Sequence, residues 1–232
     1  MITINSKEKW IMCVFFSCIQ TNTGVLWLPE ADDHEDIIEY YGLDDTTLPP
    51  KFVRVEARPP EGDVFCKDLM SWNIQIDQDV VPDGFVLDTE AVYAALKECL
   101  KLRVYEDVES VTLDKDYTYY IKNCRNVVVC NSSRAYVFNS NRVIAYDSSR
   151  VTAYDSSRVD THDSSQVTAY DSSQVIAYDS SQVTAYNYVV CYIKDDKVKY
   201  TVSRMAMAIR GYEIHVANPN YNIIYEDSKE ED

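Results

Sequence analysis

The chain repeats itself every eight residues between positions 123 and 186, and this repeat limits its fold more than any other feature. The four cleanest copies each read Asp-Ser-Ser, then Arg or Gln, Val, Thr or Ile, Ala and Tyr. They occupy residues 147–154, 163–170, 171–178 and 179–186, with weaker copies beginning at 123, 131, 139 and 155. One such unit is too small to bury a core alone, so stacking of neighbouring copies is predicted. Asn187 opens a degraded ninth copy, with Cys191 and Ile193 in the apolar places.

Each octad is typical of a turn followed by a strand. Asp or Asn followed by two Ser stabilises turns through bonds from side chain to backbone, and the next five residues alternate with period two. The fifth and seventh places are small or apolar in nearly every copy, so we predict that they face inward. Arg or Gln, Thr or Ile, and Tyr then face outward, because a row of Arg cannot be buried unpaired. In the defective copy 155–162, the charged replacements Asp160 and His162 both fall on outward places.

A second period of sixteen residues lies inside the first. Thr152, Thr168 and Thr184 recur at the sixth place of alternate octads. Two octads per coil explain this spacing, whereas three octads per coil leave it unexplained. We therefore predict a flattened, two-sided β-solenoid with coils about 4.8 Å apart, in which four coils make a rod about 20 Å long.

The octads, of the form Asp-Ser-Ser-Gln-Val-Thr-Ala-Tyr, resemble low-complexity repeats of hypothetical proteins from bacteriophages and gut bacteria. They are also similar in length and in Ser, Thr, Gln, Ala and Tyr usage to the octapeptides of bacterial ice-nucleation proteins, which are far more numerous and richer in Gly. Pentapeptide-repeat proteins, some of which imitate DNA, are analogous in shape but have a five-residue period. The resemblance covers about a quarter of the chain and implies β-solenoid architecture.

The sequence outside the repeats predicts three further regions. Residues 1–115 are expected to form an acidic α+β domain, 116–194 the octapeptide solenoid, 195–225 a small β cap and 226–232 a disordered acidic tail. A hairpin of 187–194 and 197–203 is expected where the solenoid meets the cap, and together with strands 212–216 and 221–225 it would cover the open end of the solenoid. In the first domain we predict strands at 10–19, 24–28, 51–56, 72–76 and 102–106. Helices are predicted at 34–41, between Asp33 and Gly42, and at 90–100, capped by Asp88 or Thr89.

Charge is distributed unevenly along the chain. The formal net charge is −16, of which −13 lies in residues 1–122, −1 in the octads and −2 beyond them. This excludes the usual basic nucleic-acid-binding protein, which neutralises phosphates with Lys and Arg. The head acids can steer a basic partner or can simply keep the surface soluble. The candidate contact residues are Asp32, Asp33, Glu35, Asp36, Asp44 and Asp45.

Signatures of catalysis are missing from the sequence. There is no phosphate-binding glycine loop, nucleophile elbow or Cys/His signature, so we predict no enzyme activity, no catalytic residue and no cofactor. No metal site is predicted either: Asp160 and His162 supply too few ligands, and Asp77 is expected in a turn after a strand. His34 is expected on a solvated helix face.

Cysteine usage and hydropathy bear on location. The seven cysteines are irregularly spaced without a CxxC pair, which favours reduced, mostly buried thiols and a cytoplasmic protein. The apolar run 10–19 loosely imitates a signal peptide, but a buried strand is the preferred interpretation. No apolar run approaches the roughly 18 residues needed to cross a membrane, so no membrane association is expected.

The eighth places of the octads form the most unusual expected surface. These aromatic side chains, with Phe138 and His162 in the same phase, can pack on one another or recognise a partner. The candidate binding residues are Tyr146, Tyr154, Tyr170, Tyr178 and Tyr186.

Three functional hypotheses remain at this point. The first is a non-enzymatic, phage-type interaction protein whose acidic head binds a basic protein surface, in its sharpest form inhibiting a host defence enzyme that acts on nucleic acid. It includes no direct nucleic-acid contact and leaves a homodimer through the solenoid open. The second is a fibre, decoration or assembly module, and the third is ice binding through the Thr column.

Overall fold

The protein, seen in a computed structural model, divides into two compact units between Val104 and Tyr105. The structure describes residues 15–218 and 222–225. We call the first unit the head and the second the solenoid. Our sequence-based boundary lies at 115/116 instead, because no residue before Asn123 belongs to a recognisable octad and the sequence does not mark the first coil.

The head contains one four-stranded antiparallel sheet. Its strands are β1 (Phe16–Thr21), β2 (Gly24–Leu26), β3 (Val53–Arg58) and β4 (Asn73–Ile76), in the order β2-β1-β3-β4. Short 3-10 turns at Pro60–Gly62 and Leu69–Ser71 lie between β3 and β4. Four of the five predicted strands are present here with shifted ends, and the part of the first that covers residues 10–14 lies outside the described residues. The fifth, predicted at 102–106, is present as β5 (Val104–Glu106), but it pairs in a sheet of the solenoid.

Two helices pack on this sheet, and local capping chemistry defines where they begin. Helix α1 (His34–Tyr41) begins after Asp33, whose side chain accepts the Asp36 N–H, and it ends at Gly42 in the left-handed conformation. Helix α2 (Thr89–Arg103) begins after Asp88, whose side chain accepts the Ala91 N–H. Both predicted helices are confirmed. Among the described residues, no helix is long and apolar enough to span a membrane.

The solenoid is built from fourteen short strands that pass in turn between two sheets. They are β5 (Val104–Glu106), β6 (Ser110–Leu113), β7 (Thr118–Lys122), β8 (Asn126–Val129), β9 (Arg134–Phe138), β10 (Arg142–Ala145), β11 (Arg150–Tyr154), β12 (Arg158–Thr161), β13 (Gln166–Ala169), β14 (Gln174–Ala177), β15 (Gln182–Ala185), β16 (Val190–Ile193), β17 (Lys199–Val202) and β18 (Met207–Arg210). Among these fourteen strands, the odd-numbered ones form one sheet, which we call the odd sheet, and the even-numbered ones form the other, the even sheet. The solenoid has about seven turns, so the estimate of four coils was too low.

The register of the parallel strands confirms two octads per coil. In the odd sheet Thr152 pairs with Thr168, and in the even sheet Val143 pairs with Val159, each sixteen residues along the chain. Consecutive octads therefore lie on opposite sheets. Each position of an octad pairs with the same position of the octad sixteen residues further along the chain. Equivalent side chains therefore form straight columns along each sheet.

The predicted inward places form the core of the solenoid. None of the fifth- and seventh-place side chains of the eight octads exposes more than 2% of its surface. The second Ser also faces inward, which we did not predict: Ser157, Ser165 and Ser181 are fully buried. Their hydroxyls donate to the carbonyl three residues earlier, at distances of 2.5–2.8 Å, so the turn geometry itself satisfies the buried oxygen.

The corners between the two sheets need a left-handed residue, and Asp or Asn supplies it. The first residue of every octad from Asn123 to Asn187 has a φ between 47° and 61°. Asp and Asn tolerate this region better than other non-glycine residues. The corner carboxylates also accept from the preceding coil: Oδ2 of Asp163 accepts the Asp147 N–H at 3.1 Å, and Oδ2 of Asp179 accepts the Asp163 N–H at 3.2 Å.

Both ends of the solenoid extend beyond the recognisable repeats. Strands β6 and β7 pair in parallel with the first octad strands although their sequences carry no octad. At the other end Asn187 does open a ninth copy, and Cys191 and Ile193 are buried as predicted. The hairpin predicted around Asp195 is wrong: β16 and β17 lie on opposite sheets and continue the coil. This coil contains one extra residue, so Val183 pairs with Tyr200, seventeen residues along the chain instead of sixteen. The longer spacing hides the repeat in the sequence.

Two antiparallel strands end the described solenoid. Strand β19 (Glu213–Val216) pairs with β18 on the even sheet, and β20 (Ile223–Tyr225) pairs with β17 on the odd sheet. They correspond to the predicted strands 212–216 and 221–225, and position 221 of the second lies outside the described residues. The expected disordered tail 226–232 lies outside the described residues.

Candidate interaction surface

Helix α1 buries one face and exposes a compact acidic one. His34 and Ile37 face the core of the head, which contains Ile19, Leu28 and Phe52. On the other face, Glu35 and Asp36 precede Glu39 by four and three residues, so each of them is a neighbour of Glu39 on the helix surface. Tyr40 beside them exposes 67% of its surface. We call Glu35, Asp36, Glu39 and Tyr40 the acidic helix face.

The charges of this region act on one another. The negative charge of Asp33 raises the pKa of Asp36 above its ordinary value of 3.8, and slight desolvation and the charges of Glu39, Glu35 and Asp32 add to the shift. Helix α1 has no basic residue in its last turn. The carboxylates therefore create a region of concentrated negative potential.

The other four predicted acids hold contacts inside the head. Asp33 caps α1. The remaining three have partners elsewhere in the head. Oδ1 of Asp32 accepts from buried Arg103 at 2.7 Å, Oδ2 of Asp45 accepts from Arg54 at 2.6 Å, and Oδ1 of Asp44 accepts the hydroxyl and the N–H of Thr46. The Thr46 bonds lower the pKa of Asp44. The structure thus separates exposed acids on α1 from acids that also stabilise the fold.

The predicted Tyr surface is divided into two columns, because consecutive octads lie on opposite sheets. Phe138, Tyr154, Tyr170 and Tyr186 stack beside the odd sheet with ring centroids 4.9–5.2 Å apart. Tyr146, His162 and Tyr178 stack beside the even sheet at 5.1 and 4.6 Å. Within each column the ring faces contact one another, which leaves mainly edges and hydroxyls to other molecules.

Burial explains the behaviour of several phenols and thiols. Desolvation raises the pKa of Tyr154 to about 12, with smaller contributions from neighbouring Tyr and Asp residues. Desolvation likewise raises the pKa of Cys18 and Cys191 to about 12. The thiolate is the reactive form of cysteine, so these two residues act as packing groups rather than nucleophiles. The six cysteines of the described chain are free, and Cys13 lies outside it.

The outward Thr column is present and one residue longer than predicted. Thr152, Thr168 and Thr184 pair in register, and Thr201 continues them on β17. On the even sheet, the corresponding column contains Asp160, which lies 3.7–3.8 Å from Arg142 and Arg158. In the odd sheet one row of Arg150, Gln166, Gln182 and Lys199 flanks the Thr column on one side, and the stacked rings of Tyr154, Tyr170 and Tyr186 flank it on the other. The Thr hydroxyls therefore form a narrow stripe.

The head also has an open groove beside the turn between β1 and β2. The Gln20 side chain holds the segment before α2 against β1, because it donates to the Val86 carbonyl at 2.9 Å and accepts the Asp88 N–H at 2.9 Å. Acids line part of the groove: Asp83, Asp88 and Glu90. None of the described lining residues is a His or a Cys, so the groove supplies no recognisable nucleophile–base pair. The absence of enzyme activity stays a prediction.

The placement of His34 differs from the sequence-based expectation. We expected a solvated side chain, whereas His34 exposes only 4% of its surface, and its Nε2 lies 3.2 Å from the carbonyl oxygen of Val55 in β3. Helix periodicity places His34 on the same face as buried Ile37 and could have predicted its burial, but it could not identify the residues that His34 contacts, which lie more than twenty positions away. Among the described residues, one group of three could hold a metal ion, His34 with Glu56 and Asp77.

Comparison of the chain with family models, curated proteins and solved structures found no match.

Proposed function

We propose that the protein is a non-enzymatic interaction protein whose acidic helix face binds a basic surface of a protein partner. The observation that carries this proposal is the coincidence, on one short helix, of mutually repelling carboxylates and an exposed aromatic ring. Acidic groups accelerate encounter with a basic surface, and tyrosine is a frequent centre of binding energy. A host enzyme that acts on nucleic acid has the required basic surface, and its inhibition is the sharpest form of the proposal.

The contact surface is narrower than the sequence suggests. Asp32, Asp33, Asp44 and Asp45 form caps and ion pairs, so reversing their charge would disturb the head as well as any partner. The side chains of Glu35 and Glu39 are exposed, and no hydrogen bond of theirs holds the fold together in the described structure. A variant confined to the acidic helix face therefore tests binding without removing those contacts.

The test compares two triple variants with equal loss of charge. Glu35→Gln, Asp36→Asn and Glu39→Gln neutralise the acidic helix face, while Asp79→Asn, Asp83→Asn and Glu90→Gln remove the same charge elsewhere on the head. A partner captured from extracts of the producing cells is purified, and its association rate is measured at several salt concentrations.

We expect the first variant to slow association about tenfold at low salt and the second to change it little, because steering charges act mainly on the association rate. Adding Tyr40→Ala should accelerate dissociation. Equal effects of both triple variants, or binding that salt does not weaken, would contradict the proposal.

A second candidate function, assembly through the end of the solenoid, is favoured by β19 and β20. Ile214 and Ile224 expose 63% and 65% of their surface on these terminal strands, and Tyr212 is fully exposed. Exposed apolar side chains on a terminal strand invite pairing with another chain. Light scattering coupled to size-exclusion chromatography should then show a concentration-dependent oligomer that Ile214→Lys abolishes. Val86→Lys in the head, at a position 79% exposed, is the matched control. A monomer at all concentrations would eliminate this function.

A further inference from the structure

We propose that His34, Glu56 and Asp77 form a binding site for a divalent transition-metal ion in the head. One ligand atom from each side chain lies within 4.8 Å of the others. Nδ1 of His34 is 3.5 Å from Oδ2 of Asp77. Two ligands of a tetrahedral ion with bonds of about 2.05 Å lie about 3.4 Å apart, so this edge already has the required length.

His34 is held with one ring nitrogen directed into the cluster. Its Nε2 lies 3.2 Å from the Val55 carbonyl oxygen. A carbonyl can only accept, so Nε2 carries the hydrogen and donates it, which leaves the lone pair of a neutral ring on Nδ1. A backbone carbonyl that fixes the second nitrogen in this way is the usual support of a metal-binding histidine.

Glu56 is anchored in the same manner. The side chain is buried, and its Oε2 accepts from Arg58 Nη2 at 2.8 Å and from Gln75 Nε2 at 2.9 Å. Among the described residues no donor binds Oε1. One oxygen thus fixes the carboxylate and the other remains for a ligand bond, as in metal sites whose carboxylates are themselves hydrogen-bonded.

The fold brings the three residues together from three elements. His34 is the first residue of α1, Glu56 lies in β3, and Asp77 follows β4, where its N–H donates to the Arg54 carbonyl at 2.9 Å. The Asp77 side chain is 50% exposed, which gives an ion access from solvent and lets the carboxylate adjust. The exposed acids of α1 nearby raise the local cation concentration.

The donor set selects the class of metal. One imidazole and two carboxylates suit Zn²⁺, Mn²⁺, Fe²⁺ and similar ions, whereas Mg²⁺ and Ca²⁺ prefer oxygen alone and soft ions prefer thiolates. Three protein ligands leave at least one position for water. The competing explanation is a protonated His34 that forms a plain ion pair with Asp77. This proposal does not depend on a partner binding at the acidic helix face.

The experiment titrates the full chain, stripped with a chelator, with Zn²⁺ in competition with a chromophoric chelator. We expect one ion per chain with a Kd below about 10 µM, and a thermal unfolding midpoint that rises with Zn²⁺. Asp77→Asn keeps the size of the side chain at a half-exposed position and should weaken binding at least tenfold. Asp79→Asn, two residues along, and His162→Gln in the solenoid are matched controls that should bind as the native chain does.

Cobalt spectra identify the ligands directly. Co²⁺ should show visible d–d bands without the intense near-ultraviolet band of a cobalt–thiolate bond, and Asp77→Asn should lose them. Failure to bind Zn²⁺ at about 100 µM, equal affinity of Asp77→Asn and the native chain, or a thiolate band would each overturn the proposal. In the first case a loss of stability in Asp77→Asn would identify the ion pair instead.

Discussion

Asp163 offers the clearest measurement of what the solenoid corners require. Its φ is 54°, and its Oδ2 accepts the Asp147 N–H at 3.1 Å. Asp163→Asn keeps both an acceptor oxygen and a residue that tolerates the left-handed region. Asp163→Gly keeps only the conformation, and Asp163→Val loses both.

The magnitudes follow from these two separable losses. The left-handed conformation costs about 1–2 kcal/mol for residues with a β-carbon, and more for a β-branched one. An exposed hydrogen bond contributes about 0.5–1 kcal/mol. We therefore expect a loss of solenoid stability within about 0.5 kcal/mol for Asn, about 1 kcal/mol for Gly and about 2–3 kcal/mol for Val. Ser164→Val, at the exposed next position with an ordinary φ, should change stability by less than about 0.5 kcal/mol.

The two units can be followed separately during urea unfolding. All three Trp residues precede position 105, whereas sixteen of the nineteen Tyr residues lie from Tyr105 onward. Near-ultraviolet circular dichroism of Tyr therefore reports the solenoid, and Trp fluorescence reports the head. If Asp163→Val were no more destabilising than Asp163→Asn, or if Ser164→Val matched it, the left-handed corner would not be the constraint that we infer.

Three further predictions address the columns and the head. Between pH 10 and 12 the native chain retains the proton of Tyr154 that the unfolded chain releases, so the free energy of unfolding falls as pH rises. Tyr154→Phe should make this fall with pH less steep in urea titrations. An unchanged dependence on pH would contradict the raised pKa of Tyr154. His162→Tyr should retain the stack with Tyr146 and Tyr178 and change solenoid stability by less than about 0.5 kcal/mol, whereas His162→Ala should lose about 1 kcal/mol in the same assay. Arg103→Gln should destabilise the head by about 2–3 kcal/mol, measured by Trp fluorescence, because Arg103 is buried against Asp32 and the Phe15 ring; a loss below about 0.5 kcal/mol would show that the pair is dispensable.

The repeat made the solenoid predictable because each octad contains its own turn chemistry and its own inward and outward places. The sixteen-residue period of Thr152 and Thr168 was enough to assign the strands to two sheets. The first coils were missed since the same geometry there is built from different residues: Asp107 takes the left-handed corner, but Tyr119 replaces the small inward residue of the octads. These first coils are identified by the pairing of their strands with the octad strands and not by a local sequence pattern.

The head was predictable only at the level of its elements. Caps such as Asp33 and Gly42 act within a few residues, so the bounds of α1 followed from the sequence. The contacts of His34 with Val55 and Asp77 and of Asp32 with Arg103 join residues far apart in the chain, and no local periodicity identifies these partners. For this reason the acidic cluster was recognised as a whole, while the division between fold-stabilising and exposed acids required the structure.

The strict sixteen-residue register has a consequence for how such a chain can change in length. Gain or loss of two adjacent octads adds or removes one whole coil, and every column, from the corner Asp to the stacked rings, closes again in phase. Gain or loss of a single octad instead moves all later strands to the opposite sheet, which would set Thr beside Ile and Asp. Related chains that fold should therefore differ in length by two octads at a time, so the solenoid can lengthen only in whole coils of sixteen residues.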